Sequence, residues 1–251
     1  MKIIYLILYL VTIPFFRISG LTQKKEFQEV YQQQYTIYLT FDDGPLDSSS
    51  AINNIILEEK INVNVFLVGI HSQNKKYQKL GYYLYLQNPF IEIGNHSYSH
   101  ANNHYKKFYK NPEKVLADFL KCQEELQIPL KLARLPGRNQ WRLKDTSIND
   151  IKSGSTSADL LFKEGFKVFG WDMIWYDNKN AAQSNQSVNK MIGQIETLLK
   201  NNRTVRKNHL VLLLHDQIFR KACSQCELKQ LIDSLKAKGN YVFEHLSNYP
   251  E

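Results

Sequence analysis

Only three cysteines occur in 251 residues, so Cys223-Ser224-Gln225-Cys226 has no second pair with which to build a four-thiolate metal site. A structural disulfide between Cys223 and Cys226 is the expected state, and Cys122 reads as a buried core thiol in an apolar-periodic helix. No internal repeat or low-complexity tract is present, which excludes a repeat architecture. Although the formal charge is +8, the lysines and arginines are scattered, with no basic arm and no nucleic-acid motif. Nucleic acid is therefore not an expected partner, whereas attraction to an anionic envelope is. The long apolar run, Ile3 to Phe16, is too short to span a membrane comfortably. Between Lys2 and Arg17-Ile18-Ser19-Gly20 it reads as a secretory signal, or as an uncleaved anchor giving N-terminal membrane association. Residues 1–20 are thus set aside as leader and 21–35 as a connector. The remainder, 36–251, is read as one catalytic domain exported to the periplasm, the envelope or the exterior.

Within 36–251 strand and helix signals alternate. Apolar or β-branched runs predict strands at Ile37–Phe41, Val63–Val68, Ile91–Gly94, Leu130–Arg134, Phe166–Trp171, Leu210–Leu214 and Tyr241–Glu244. Helical spacing predicts helices over Ser48–Lys60, Gln73–Leu86, Pro112–Leu126, Val188–Leu199 and Leu228–Lys238. About seven strands interleaved with helices argue for an α/β fold with a parallel sheet, most simply a distorted (β/α) barrel. The polar stretch Arg138 to Ser157 reads as one long loop.

Thr40-Phe41-Asp42-Asp43-Gly44-Pro45 follows the first strand and delivers two adjacent carboxylates into a tight turn. Adjacent aspartates repel and cost desolvation unless a cation sits beside them, so a metal ion is the natural guess, with an ordinary solvated turn as the alternative. His96-Ser97-Tyr98-Ser99-His100 supplies two imidazoles four residues apart, which places both on one face of a helical turn. One Asp and two His make three ligands and leave an open position for water, as a catalytic zinc requires. Asp42-Asp43, His96 and His100, Arg134, Trp171-Asp172 and His215-Asp216 all fall at or just after predicted strand ends, where barrel enzymes place their chemistry. His71, His104 and His209 read as structural or solvated. Trp141, Trp175 and Tyr176 read equally as sugar platforms or as core.

Thr40-Phe41-Asp42-Asp43-Gly44-Pro45, His96-Ser97-Tyr98-Ser99-His100, Arg134-Leu135-Pro136-Gly137, the Trp171-Asp172 segment and Leu212-Leu213-Leu214-His215-Asp216 together resemble the polysaccharide deacetylase family, the NodB-homology or carbohydrate esterase 4 group, over about Thr36 to Leu246. The resemblance implies hydrolysis of an N- or O-acetyl group on a glycan such as peptidoglycan or poly-N-acetylglucosamine. It implies one divalent metal, usually zinc, held by Asp43, His96 and His100. Asp42 matches the general base, His215 the general acid and Arg134 the residue that holds the base. Gly137 stands where a backbone N–H faces the oxyanion, and Leu213 or a neighbour would line a pocket for the acetyl methyl. Two positions depart from the pattern: Gly137 replaces a more usual aromatic, and Ile174 replaces one expected Asp. Asp172 or Asp177 is left to orient Arg134 or His215. Two other readings stay open, a metal-dependent amidase acting on a non-sugar amide and a glycan-binding protein without turnover. Acetyl-sugar and acyl-amide panels separate the first, and binding without acetate release would mark the second.

Overall fold

The computed structural model describes residues 33–178, 183–184 and 186–251, so the expected leader at 1–20 and most of the connector at 21–35 lie outside the described residues. The strands are β1 (Tyr35–Asp42), β2 (Val63–Leu67), β3 (Ile91–Asn95), β4 (Leu132–Ala133), β5 (Trp141–Leu143), β6 (Thr146–Ile148), β7 (Lys167–Val168), β8 (Met173–Ile174), β9 (Asp177–Asn178), β10 (Gln183–Ser184), β11 (His209–His215) and β12 (Tyr241–Phe243). One curled sheet runs β6-β5-β7-β4-β3-β2-β1-β11-β8, with β12 beside the start of β1. From β7 to β8 every pairing is parallel. The seven expected strands are therefore present, and β8 and the antiparallel β5–β6 hairpin add to them.

Eight α-helices lie among the described residues: α1 (Ser49–Glu59), α2 (His71–Asn74), α3 (Lys76–Gln87), α4 (Tyr105–Phe108), α5 (Pro112–Glu125), α6 (Ser155–Lys163), α7 (Val188–Lys200) and α8 (Ala222–Lys236). None of them is long and apolar enough to cross a membrane. Two starts show why the sequence begins a helix there. Asn111 accepts from the Lys114 backbone N–H with Pro112 in the first turn, and Ser187 accepts from that of Lys190. In α7, Val188, Met191, Ile195 and Leu199 recur on the buried face, the period of an amphipathic helix.

Side chains alternate across β1. Ile37, Leu39 and Phe41 join the layer covered by α1, α7 and α8, whereas Tyr38 joins an inner cluster with Phe66, Trp141, Val211 and Tyr249. Asp42 shares the parity of Tyr38 and Thr40, so the strand aims its last carboxylate inward from the mouth of the curl.

Arg138 to Ser157 is not one loop. It holds the β5–β6 hairpin and the start of α6, because Trp141 and Leu143 bury and Arg142 finds Asp159, Asn149 and backbone carbonyls. Trp141 and Trp175 are core residues. The expected disulfide is also absent: Cys223 and Cys226 are exposed free thiols on α8, and Cys122 is a buried one. Three residues apart on one helix, the two are already fixed by its backbone, so a bridge would constrain little.

Candidate active site

Parallel pairing of β1 with β11 sets Asp42 opposite His215 in register. Beyond Asp42 the chain turns sharply. Asp43 takes φ 71°, a left-handed conformation that Asp tolerates better than most residues, and a cis Gly44-Pro45 peptide follows. His71 Nδ1–H donates to the Asp43 carbonyl at 2.8 Å, pinning this bend. Burial pushes the His71 imidazole down in pKa, against the pull of the Asp43 backbone and charge.

The two further imidazoles meet by a route different from the expected helical turn. After β3, the Asn95 side chain accepts from the Ser97 backbone N–H and donates to the Phe119 carbonyl. Ser97 turns left-handed at φ 66°, and its hydroxyl accepts from the His100 backbone N–H. His100 itself sits at φ 50°. Short polar side chains bonding their own backbone thus fold this segment into an irregular loop. The His96 and His100 rings end 5.2 Å apart, centroid to centroid.

Ligand atoms of Asp43, His96 and His100 all lie within 4.8 Å of one another. Their chemistry fits a divalent cation on two counts. His96 Nδ1–H donates to the Arg134 carbonyl at 2.8 Å, which turns Nε2, the nitrogen free to ligate, toward Asp43 Oδ1 at 3.4 Å. That oxygen is also 3.0 Å from His100 Nε2, yet it is buried without a well-formed hydrogen bond among the described residues. Two lone-pair donors converging on one point call for a cation between them. Burial pushes the Asp43 carboxyl up, but the His100 and His96 imidazoles beside it prevail and hold it well below the usual carboxylate range. Replacing His71 by Ala is expected to weaken metal affinity about 10–100-fold, the usual effect of losing an outer-sphere partner. Zinc titration of metal-free protein reads this directly, and an unchanged affinity would show that the Asp43 bend stands without His71.

Asp42 is not one of the three converging ligands. Its Oδ1 accepts from Arg134 Nη1 at 2.9 Å, and its Oδ2 lies 3.6 Å from His96 Nε2. Arg134 is wholly buried beneath the cleft. The same Nη1 donates to Thr40 Oγ1 at 2.7 Å, Nη2 to the Gly170 carbonyl at 2.8 Å and Nε to the Phe169 carbonyl at 3.2 Å. The Thr40 hydroxyl in turn donates to the Leu212 carbonyl, so the ends of β1, β4 and β7, and β11 through Thr40, are tied at one cation.

Asp42, Asp43, His96, His100, Gly137, Leu213 and His215 surround a cleft of about 280 Å³. Tyr105, Lys152, Trp171, Ile174 and Tyr176 complete its lining. Tyr105 and Lys152 were missed in the sequence. Tyr105 follows His100 closely enough to have been suspected, and its ring stands edge-on to that imidazole at 5.8 Å. Lys152 carried no local signal. Gly137 takes φ 63°, and a Cβ there would meet the Tyr105 ring at 3.4 Å, so Tyr105 stands beside the position where the family more often carries an aromatic.

Asp172 orients neither Arg134 nor His215. Its two oxygens accept from the backbone N–H groups of Val205 and Val211, while burial pushes its carboxyl up to about 6 against those bonds. The side chain of Asp177 lies outside the described ones. His215 Nδ1 is buried with no hydrogen-bond partner among the described residues, and Ile174 pairs in register with Leu213 on the adjoining strand. His104 stands apart from the cleft, and His209 Nδ1 lies 3.0 Å from the Tyr38 hydroxyl.

Residues 29–140 match the family model described as polysaccharide deacetylase. A chitin disaccharide deacetylase from Vibrio alginolyticus is 24% identical over 202 residues, covering 56% of this chain and 47% of its own length. A peptidoglycan-N-acetylglucosamine deacetylase from Bacillus cereus is 26% identical over 223 residues, covering 85% and 70%. The chain thus spans about half the length of the first of these relatives. Among solved structures, the catalytic domain of peptidoglycan N-acetylglucosamine deacetylase from Eubacterium rectale aligns with a TM-score of 0.62 at 19% identity, over 88% of this chain and 93% of that domain. That likeness is one of fold.

Proposed function

We propose that the chain, whose residues 29–140 match the polysaccharide deacetylase model, is a deacetylase of that family and that its cleft removes acetyl groups, N-acetyl in the first instance, from an envelope glycan such as peptidoglycan or poly-N-acetylglucosamine. The observation that carries this reading is the pairing of two differently held carboxylates. Asp43 converges with two imidazoles, while Asp42, next to it, is kept off that point by Arg134.

Asp43, His96 and His100 would hold one divalent ion, most simply zinc, which when bound supplies Lewis-acid activation of the acyl oxygen and of water. The chain's own residues do the rest. Asp42 takes the proton of the attacking water, with Arg134 fixing its orientation. Attack on the amide carbon puts negative charge on the acyl oxygen, toward which the Gly137 backbone N–H is directed in this scheme. The C–N bond breaks as His215 gives its proton to the departing amine, so acetate and a free amino sugar leave with one water consumed. Leu213 supplies an apolar wall for the methyl. Tyr176, at the rim of the cleft, offers a flat face to a sugar ring. Export, read from residues 1–20, accords with a polymer outside the cytoplasm.

The test is acetate release from N-acetylglucosamine oligomers and from peptidoglycan. Chelation is expected to slow it by at least about 100-fold, with zinc restoring it. Rates indifferent to chelator would remove the metal from the reading. Acetate from small acyl-amides but from neither glycan would move it to the amidase.

A further inference from the structure

We propose that a hollow lined by lysines of α4, of α5 and of the turn between them docks a phosphodiester-linked polymer. This site is separate from the catalytic cleft, and the inference holds whatever the cleft does: no residue lining the hollow lines the cleft.

Lys106, Lys107, Lys110 and Lys114 crowd into one short stretch, in which Glu113 is the sole acidic residue from 100 to 117. All four lysines are exposed, and none makes a salt bridge among the described residues. Like charges held this close repel one another, and a shared anion relieves that repulsion. Lys107, Lys110 and Lys114 line one hollow of about 420 Å³, inside the usual range for binding sites. His104 and Lys107 also line a second hollow with Lys106, so the positive surface is continuous. No acidic side chain lines either hollow. Part of the first wall is Ala101 and Asn102, from a turn in which His100 to Asn103 all take positive φ, 45–59°. Four successive left-handed residues without a glycine persist only where their surroundings hold them, so this wall is shaped before anything binds. Two features select the anion. The cations are lysines, which meet phosphate as point charges, whereas planar carboxylates are better matched by the arginine fork, and no arginine lines either hollow. The surface is concave, and no large apolar side chain from 100 to 117 is exposed to enter a bilayer, so a chain fits it better than a membrane does. Phe108 gives the carbon spacer between phosphates an apolar wall. Docking here concentrates at one face the attraction to an anionic envelope that the net charge of +8 implies.

The test is binding of fluorescently labelled, lipid-free poly(glycerol phosphate) to the full chain, read by anisotropy at low and at physiological salt. A variant carrying Lys107→Gln with Lys110→Gln is compared with one carrying Lys163→Gln with Lys207→Gln. The second removes the same charge from exposed lysines that line neither hollow. All four side chains are exposed, so both variants keep the fold. The parent should bind the polymer, more weakly as salt rises. The first variant should bind at least about tenfold more weakly and with a shallower salt dependence, and the second within about twofold of the parent. No binding by the parent overturns the proposal, and equal losses in both variants do so by assigning the attraction to net charge alone. Poly-glutamate bound as tightly as the phosphate polymer overturns the choice of anion. Binding to phosphatidylglycerol vesicles with none to the soluble polymer overturns the choice of a chain over a membrane. Acetate release plays no part in this readout, so its outcome and that of the deacetylase reading are told apart.

Discussion

Replacing Asp42 by Asn is expected to leave metal binding at its parent level while slowing acetate release by about 10²–10⁴-fold, the contribution of a positioned general base. The separation of these effects follows from the geometry. Asp43, His96 and His100 converge without Asp42, whose Oδ1 is engaged by Arg134 at 2.9 Å. Asparagine has the same shape and keeps an oxygen for that guanidinium, but it cannot take a proton at neutral pH. The loss should therefore appear in kcat, with metal content and zinc affinity unchanged. Parent-like kcat in the variant would remove Asp42 from the chemistry. Loss of metal together with retained activity would reverse the roles of the two aspartates.

Arg134→Met is expected to cost about 3–5 kcal/mol of folding stability, an effect of the size seen when one partner of a buried ion pair is removed. The side chain is wholly buried and donates to Asp42, Thr40 and the carbonyls of Phe169 and Gly170. Methionine preserves some of the packing over the Phe66 ring, which lies 4.3 Å from the guanidinium carbon. It leaves a carboxylate and two carbonyls buried without their cation. Urea unfolding of the single variants and of Arg134→Met with Asp42→Asn gives the coupling. The double variant should lose clearly less than the sum of the two singles. A loss below about 1 kcal/mol for Arg134→Met would show that the cation is not needed to keep Asp42 buried, and additivity would show that the pair is not coupled.

The parallel core was legible because β1, β2 and β11 are largely apolar runs, the pattern of strands covered on both faces, while β3 shows only the alternating Ile91 and Ile93. The β5–β6 hairpin was hidden by its charges. Trp141-Arg142-Leu143 is short, and Arg142 is buried only because Asp159, Asn149 and carbonyls meet it from other parts of the chain. Helix α6 was hidden for a different reason. Ser157, Ala158 and Leu161 form its buried face, so small residues leave only a weak apolar stripe behind a serine-rich start. At the site, the spacing of His96 and His100 pointed to a shared cation, although a helical turn does not bring them together. Asn95 and Ser97 fold their loop through side-chain to backbone bonds, and periodicity does not report such bonds. Lys152 reaches the cleft from the loop after the β5–β6 hairpin, a closeness visible only once the chain is folded.

The register of β1 against β11 has a consequence for how such a protein can diversify. Asp42 and His215 are direct neighbours on hydrogen-bonded parallel strands, so main-chain geometry sets their backbone separation at about 4.8 Å. That spacing acts as a ruler that no loop can stretch. Gly137 and Lys152 stand on connections and Tyr105 opens the short helix α4, all outside this pair of strands. The rim of the cleft can therefore be exchanged while the separation of Asp42 from His215 is kept.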